Sequence, residues 1–132
     1  MADQELSAGQ VVTAFITAIE AGDIEAAVAM AAESISYENM PIEPIVGRDG
    51  LRATLGSFLA PADEVDWKVL RQYETGGVVF NERLDRFRIG DGWLELPVAG
   101  VFEVDDRGLI TLWRDYFDMG SYQSQFAELT GR

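Results

Sequence analysis

Residues 78–104 read VVFNERLDRFRI (Val78–Ile89), Gly90-Asp91-Gly92, then WLELPVAGVFEV from Trp93 to Val104. Two long runs rich in β-branched and aromatic residues, joined by a glycine-flanked turn, predict an antiparallel hairpin. Val65 to Tyr73 upstream and Leu109 to Phe117 downstream are of the same kind. They are set off by Gly76-Gly77 and by Asp105-Asp106-Arg107-Gly108. Before this meander the apolar period is helical. Ser7 with Gln10 forms a capping box for a helix carrying Val11, Phe15 and Ile19 on one face, closed by Gly22. Asp23 caps a second helix predicted from Ile24 to Ala32, and a third is predicted from near Asp49 to about Leu59, with Pro61 beyond it. Ser34 to Asn39 reads as a short strand stopped by Pro41 and Pro44, and a short C-terminal helix is expected from about Tyr122. Helices first and strands after predict an α+β domain, with helices packed on one face of a curved sheet and a pocket between the layers.

With 132 residues, 48% hydrophobic and 25% charged, the chain fits a single domain over residues 1–132 with one core. No run of eighteen apolar residues and no basic-then-apolar N-terminus is present, so neither a membrane span nor a secretory signal is expected. No cysteine occurs, which fits a cytoplasmic setting. A net charge of −13 with one lysine, Lys68, argues against nucleic acid as a partner. The absence of histidine and cysteine excludes a Ser-His-Asp or Cys-His nucleophile system and an ordinary zinc site, and no metal or cofactor is expected. Any proton carriers must be carboxylates or tyrosines, positioned by arginine or amide groups.

Strand alternation shows which of these residues share a face. Val79, Asn81, Arg83, Asp85, Phe87 and Ile89 lie on one side of their run. Thr111, Trp113, Asp115 and Phe117 lie together on another, and Ile35, Tyr37 and Asn39 on a third. Leu94, Leu96, Val98, Gly100, Phe102 and Val104 form an apolar face that must be core or pocket. Alternation by itself leaves two readings open: an ion-pair ladder involving Arg83 and Asp85, or a polar site.

Three segments in order carry a resemblance. They are Tyr37-Glu38-Asn39-Met40-Pro41, Glu82-Arg83-Leu84-Asp85, and Gly100-Val101-Phe102 leading to Trp113-Arg114-Asp115-Tyr116-Phe117-Asp118, with Gly47-Arg48-Asp49 between the first two. Together they are similar to the limonene-1,2-epoxide hydrolase family, within the NTF2-like (SnoaL-like) superfamily that also holds ketosteroid isomerases and polyketide cyclases. The resemblance implies a cone-like, six-stranded mixed sheet, three to four N-terminal helices and a homodimer. It places the family's Asp-Arg-Asp set on Asp85, Arg83 and Asp115, and its water-holding pair on Tyr37 and Asn39.

By that resemblance Asp115 takes a proton from water held by Tyr37 and Asn39. Protonated Asp85 donates to the epoxide oxygen, and Arg83 orients both carboxylates. No covalent intermediate or cofactor is needed. A carboxylic acid kept neutral near pH 7 must have its pKa raised from about 3.9 to about 7. Apolar walls from Phe87, Leu96, Val98, Trp113 and Phe117 are the expected source of that shift. The expected partners are water and a hydrophobic, terpene-like epoxide. Two other functions compete: a ketosteroid-isomerase-like or cyclase-like enzyme of the same fold, and a non-catalytic binding module whose polar residues share no focus.

Overall fold

The computed structural model describes residues 6–131. Helix α1 (Ala8–Glu20) starts at the expected capping box: Ser7 Oγ accepts from the Gln10 amide at 3.2 Å, and Gln10 Oε1 accepts from the Ser7 amide at 2.8 Å. Gly22, with φ of 73°, turns the chain out of the helix as only glycine does without strain. Asp23 caps α2 (Ile24–Ala29) by accepting from Ala26. Strands β1 (Ala31–Met40) and β2 (Ile45–Val46) follow, then α3 (Arg48–Leu59). The meander is β3 (Glu64–Thr75), β4 (Val78–Ile89), β5 (Gly92–Val104) and β6 (Ile110–Tyr116), and α4 (Met119–Thr130) ends the chain.

The strands form one open, six-stranded mixed sheet in the order β2-β1-β6-β5-β4-β3. Only β1 and β6 run parallel; the other pairs are antiparallel. Register breaks at Val69/Arg71, Glu103/Val104 and Ala31/Ser36 bend the strands, since an irregular residue adds local twist. Helix α1 lies across the concave side with Val11, Val12, Phe15, Ile16 and Ile19 buried against that face. No described helix is long and apolar enough to cross a membrane.

Three local expectations change. Helix α2 stops at Ala29 rather than Ala32, because Ala31 and Ala32 are buried and Ala31 pairs with Ile110 at the start of β1. Strand β2 has no counterpart in the sequence reading. Its two residues pair back onto Ser36 and Tyr37, so tertiary contact rather than propensity makes it a strand. Helix α4 begins at Met119, three residues early, because Asp118 accepts from the Ser121 amide as its cap. Three helices precede the meander and the fourth is the C-terminal one, packed along β5, both as expected.

Phe15 is fully buried and meets Trp113 edge to face at 5.0 Å, joining α1 to the middle of the sheet. Phe15→Ala is expected to cost about 3–5 kcal/mol, read as a lower urea midpoint at unchanged slope.

Candidate active site

The register decides which side chains meet. In one row across the concave face stand Asn39 of β1, Asp115 of β6, Gly100 of β5, Asn81 of β4 and Gln72 of β3. A neighbouring row sets Tyr37, Trp113, Phe102 and Val79 side by side. Arg83 and Asp85 lie further along β4, opposite Val98 and Leu96. Gly100 carries no side chain, so the Arg83 guanidinium spans β5 and reaches β6.

Arg83 is fully buried and each of its three guanidinium nitrogens donates a hydrogen bond. Nε and Nη2 donate to the two oxygens of Asp85, each at 3.0 Å. Nη2 also donates to Asp115 Oδ2 at 2.8 Å, and Nη1 donates to Asn81 Oδ1 at 2.8 Å. The guanidinium also sits 5.2 Å from the centre of the Trp67 ring and 5.9 Å from that of Phe102, within cation–π range. Behind it, Asn81 Nδ2 donates to Gln72 Oε1, and Gln72 Nε2 donates to the Gly9 carbonyl and to Thr13 Oγ1 on α1. The other oxygen of Asp115 accepts from Trp113 Nε1 at 2.9 Å. The Trp113 ring is stacked between Tyr37, at 4.2 Å, and Phe102, at 5.9 Å.

Two carboxylates against one guanidinium would leave a net negative charge in a dry place, which is costly. The Asp85 carboxyl is accordingly pushed up to about 6: burial raises it, the Arg83 contact pulls it down, and the charges of Asp115 and Glu20 raise it again. This falls short of the value near 7 anticipated from sequence, because the bidentate arginine offsets much of the burial. Burial, and then the charge of Asp115, push the Tyr37 hydroxyl well above its ordinary range, so it stays neutral. Burial works against the Arg83 charge, but Asp115 and Asp85 outweigh it and raise the pKa further.

Tyr37, Asn39, Asp85 and Asp115 all line one cavity, walled by Phe87, Leu96, Val98 and Phe117. Arg83 stands behind the carboxylates. Phe58 of α3, Trp67 of β3 and Tyr122 of α4 complete the wall. The sequence reading missed these three. Trp67 is opposite Asp85 only through the β3–β4 register, and Phe58 and Tyr122 arrive on helices whose docking no local pattern encodes. One wall residue is corrected: Trp113 does not face the cavity. It is wholly buried beneath Tyr37, and its indole N–H is spent on Asp115. Among the described residues no cluster of three or more acidic side chains is arranged to hold a metal ion.

The sequence profile of the limonene-1,2-epoxide hydrolase catalytic domain matches residues 6–127. The chain is 39% identical over 109 residues to the epoxide hydrolase EphG of Mycobacterium tuberculosis, covering 82% of this chain and 71% of that protein. A solved M. tuberculosis epoxide hydrolase of the limonene-1,2-epoxide hydrolase type superposes with a TM-score of 0.78 at 32% identity, over 95% of this chain and 96% of that one. A Catenulispora acidiphila protein of ketosteroid isomerase-like fold superposes equally well, TM-score 0.78, over 88% and 91% of the two chains. At 21% identity it shows the shared fold alone.

A Cβ added at Gly100 would stand 2.5 Å from Arg83 Nη1 and 2.9 Å from both Asn81 Oδ1 and Asp115 Oδ1. Gly100→Ala is expected to destabilise by about 3 kcal/mol by breaking a buried ion cluster. Gly56→Ala, in helix α3 where the added carbon meets nothing within 4 Å, is expected to be neutral or slightly stabilising. Tm measurements on the two variants check both.

Proposed function

Because this chain belongs to the limonene-1,2-epoxide hydrolase family, we propose that it adds water to a hydrophobic epoxide in one step to give a vicinal diol. One observation carries the reading: two carboxylates share a single buried arginine on a small apolar-walled cavity, with a tyrosine and an amide beside one of them. Such a pair divides into an acid and a base.

Asp115 is the base. Trp113 and Arg83 hold its two oxygens, and Asn39 is its register neighbour across β1–β6. Tyr37 and Asn39 hold the nucleophilic water. The free volume, about 20 Å³, is about what a single water needs, so the walls must give way to admit an epoxide. Asp85 is the acid. As the water oxygen bonds to an epoxide carbon, its proton passes to Asp115; the carbon–oxygen bond breaks and its electron pair takes the proton of Asp85. The diol leaves, and the proton returns from Asp115 to Asp85 through cavity water. Arg83 offsets the negative charge throughout. A carbon-acid isomerase or cyclase has no need of an arginine clamping both carboxylates, so the hydrolase reading is preferred.

The family's homodimer is also part of this reading. Outside the sheet, Tyr73 faces Phe80 across β3–β4, and Tyr116 lies opposite Ala99; all three aromatics are exposed. A second copy seated on that face would cover them.

Wild type should convert at least one member of a small epoxide panel to diol, and Asp85→Asn and Asp115→Asn should each lose at least about a hundredfold in kcat/KM. Diol formation surviving both substitutions would sink the mechanism. Asp85 must be protonated to act, so kcat/KM should fall about tenfold per pH unit above roughly pH 6. A rate still climbing beyond pH 8 removes Asp85 from the acid role. Sedimentation should find a dimer in wild type and a monomer in Phe80→Glu.

A further inference from the structure

Among the described residues one buried side-chain polar atom has no hydrogen-bond partner: Trp67 Nε1. Nearly all buried polar groups in folded proteins are paired, and an unpaired one costs about 1–3 kcal/mol. Trp67 is 6% exposed, lines the cavity, and stands directly opposite Asp85 in the β3–β4 register.

Packing does not account for the N–H. The Trp67 ring meets the Phe87 ring edge to face at 5.9 Å and lies 5.2 Å from the Arg83 guanidinium carbon. A phenylalanine could serve both contacts. The other buried tryptophan, Trp113, uses its N–H on Asp115.

We infer that Trp67 is a specificity-determining residue whose indole N–H donates to a second, neutral oxygen of the substrate, so that the preferred substrates are apolar epoxides bearing one further ether, carbonyl or hydroxyl oxygen. This rests on the hydrolase reading above. An indole N–H only donates, so its partner must accept. Directly opposite residues on paired strands stand about 4.5–5.5 Å apart at Cβ, which puts this donor on the side of the substrate that Asp85 serves. A carboxylate or phosphate is disfavoured, because Asp85 and Asp115 face the same cavity and every nitrogen of the Arg83 guanidinium already donates to a side chain. Phe58, Phe87, Leu96, Val98 and Phe117 leave the rest of the substrate as hydrocarbon.

Two measurements test this. In ¹⁵N-labelled wild type, saturating cyclohexanone should shift the Trp67 indole resonance, while methylidenecyclohexane, the same shape with carbon in place of oxygen, should not. For turnover, the ratio of kcat/KM for 4-methoxycyclohexene oxide to that for 4-ethylcyclohexene oxide should fall about tenfold in Trp67→Phe, the size of one lost hydrogen bond. A ratio within twofold of wild type overturns the inference, as does an indole resonance that answers both probes alike or neither. Absence of diol from either epoxide would count against the hydrolase reading instead, and the resonance shift would still decide the role of Trp67.

Discussion

The site hangs on one buried guanidinium and the gap it crosses. Arg83 starts on β4, passes over Gly100 on β5 and binds Asp115 on β6, while clamping Asp85 on its own strand. A buried arginine is tolerable only when its donors are matched, and here hydrogen bonds to two aspartates and an asparagine do so. Burial above all raises the Asp85 carboxyl, Arg83 pulls it back, and the second carboxylate, Asp115, adds to the rise, so the environment favours a proton in the cluster. The register that closes the ion cluster also leaves the two carboxylates in different surroundings, Asp85 held bidentate by Arg83 and Asp115 shared between Arg83 and Trp113.

The aromatic layer beneath gives the cluster its rigidity. Tyr37, Trp113 and Phe102 are stacked, and Phe15 of α1 abuts Trp113 from the helix side. Trp113 therefore joins core to site: its ring is packing and its N–H fixes Asp115. This explains why the same residue read from sequence as a cavity wall. Alternation places Trp113 and Asp115 on one face, but depth depends on what lies above, and Tyr37 is supplied by a strand distant in sequence.

Much of the architecture was legible because local signals agreed. The capping box at Ser7, the Asp23 cap and the glycine turns fixed helix starts and hairpins, and β4 ran from Val78 to Ile89 as read. Arg83 with Asp85, and Tyr37 with Asn39, were visible as face-sharing pairs and Asp115 lay between two aromatics, yet alternation left an ion-pair ladder open; ordered resemblance singled the five out. What was not legible depends on long-range pairing. The two-residue β2 exists only against β1, Trp67 gains its meaning only opposite Asp85, and Phe58 and Tyr122 meet at 5.8 Å from different helices.

The chain from Arg83 through Asn81 and Gln72 to Gly9 and Thr13 has a direction. Every donor along it points away from the guanidinium, so each amide turns its oxygen toward the cation. Those aligned dipoles support the positive charge from behind. Amides do not titrate at ordinary pH, so this rear wall conducts polarity without conducting protons. The candidate site is thus insulated on the side of α1, and the proton movements of the proposed reaction would run through the cavity alone.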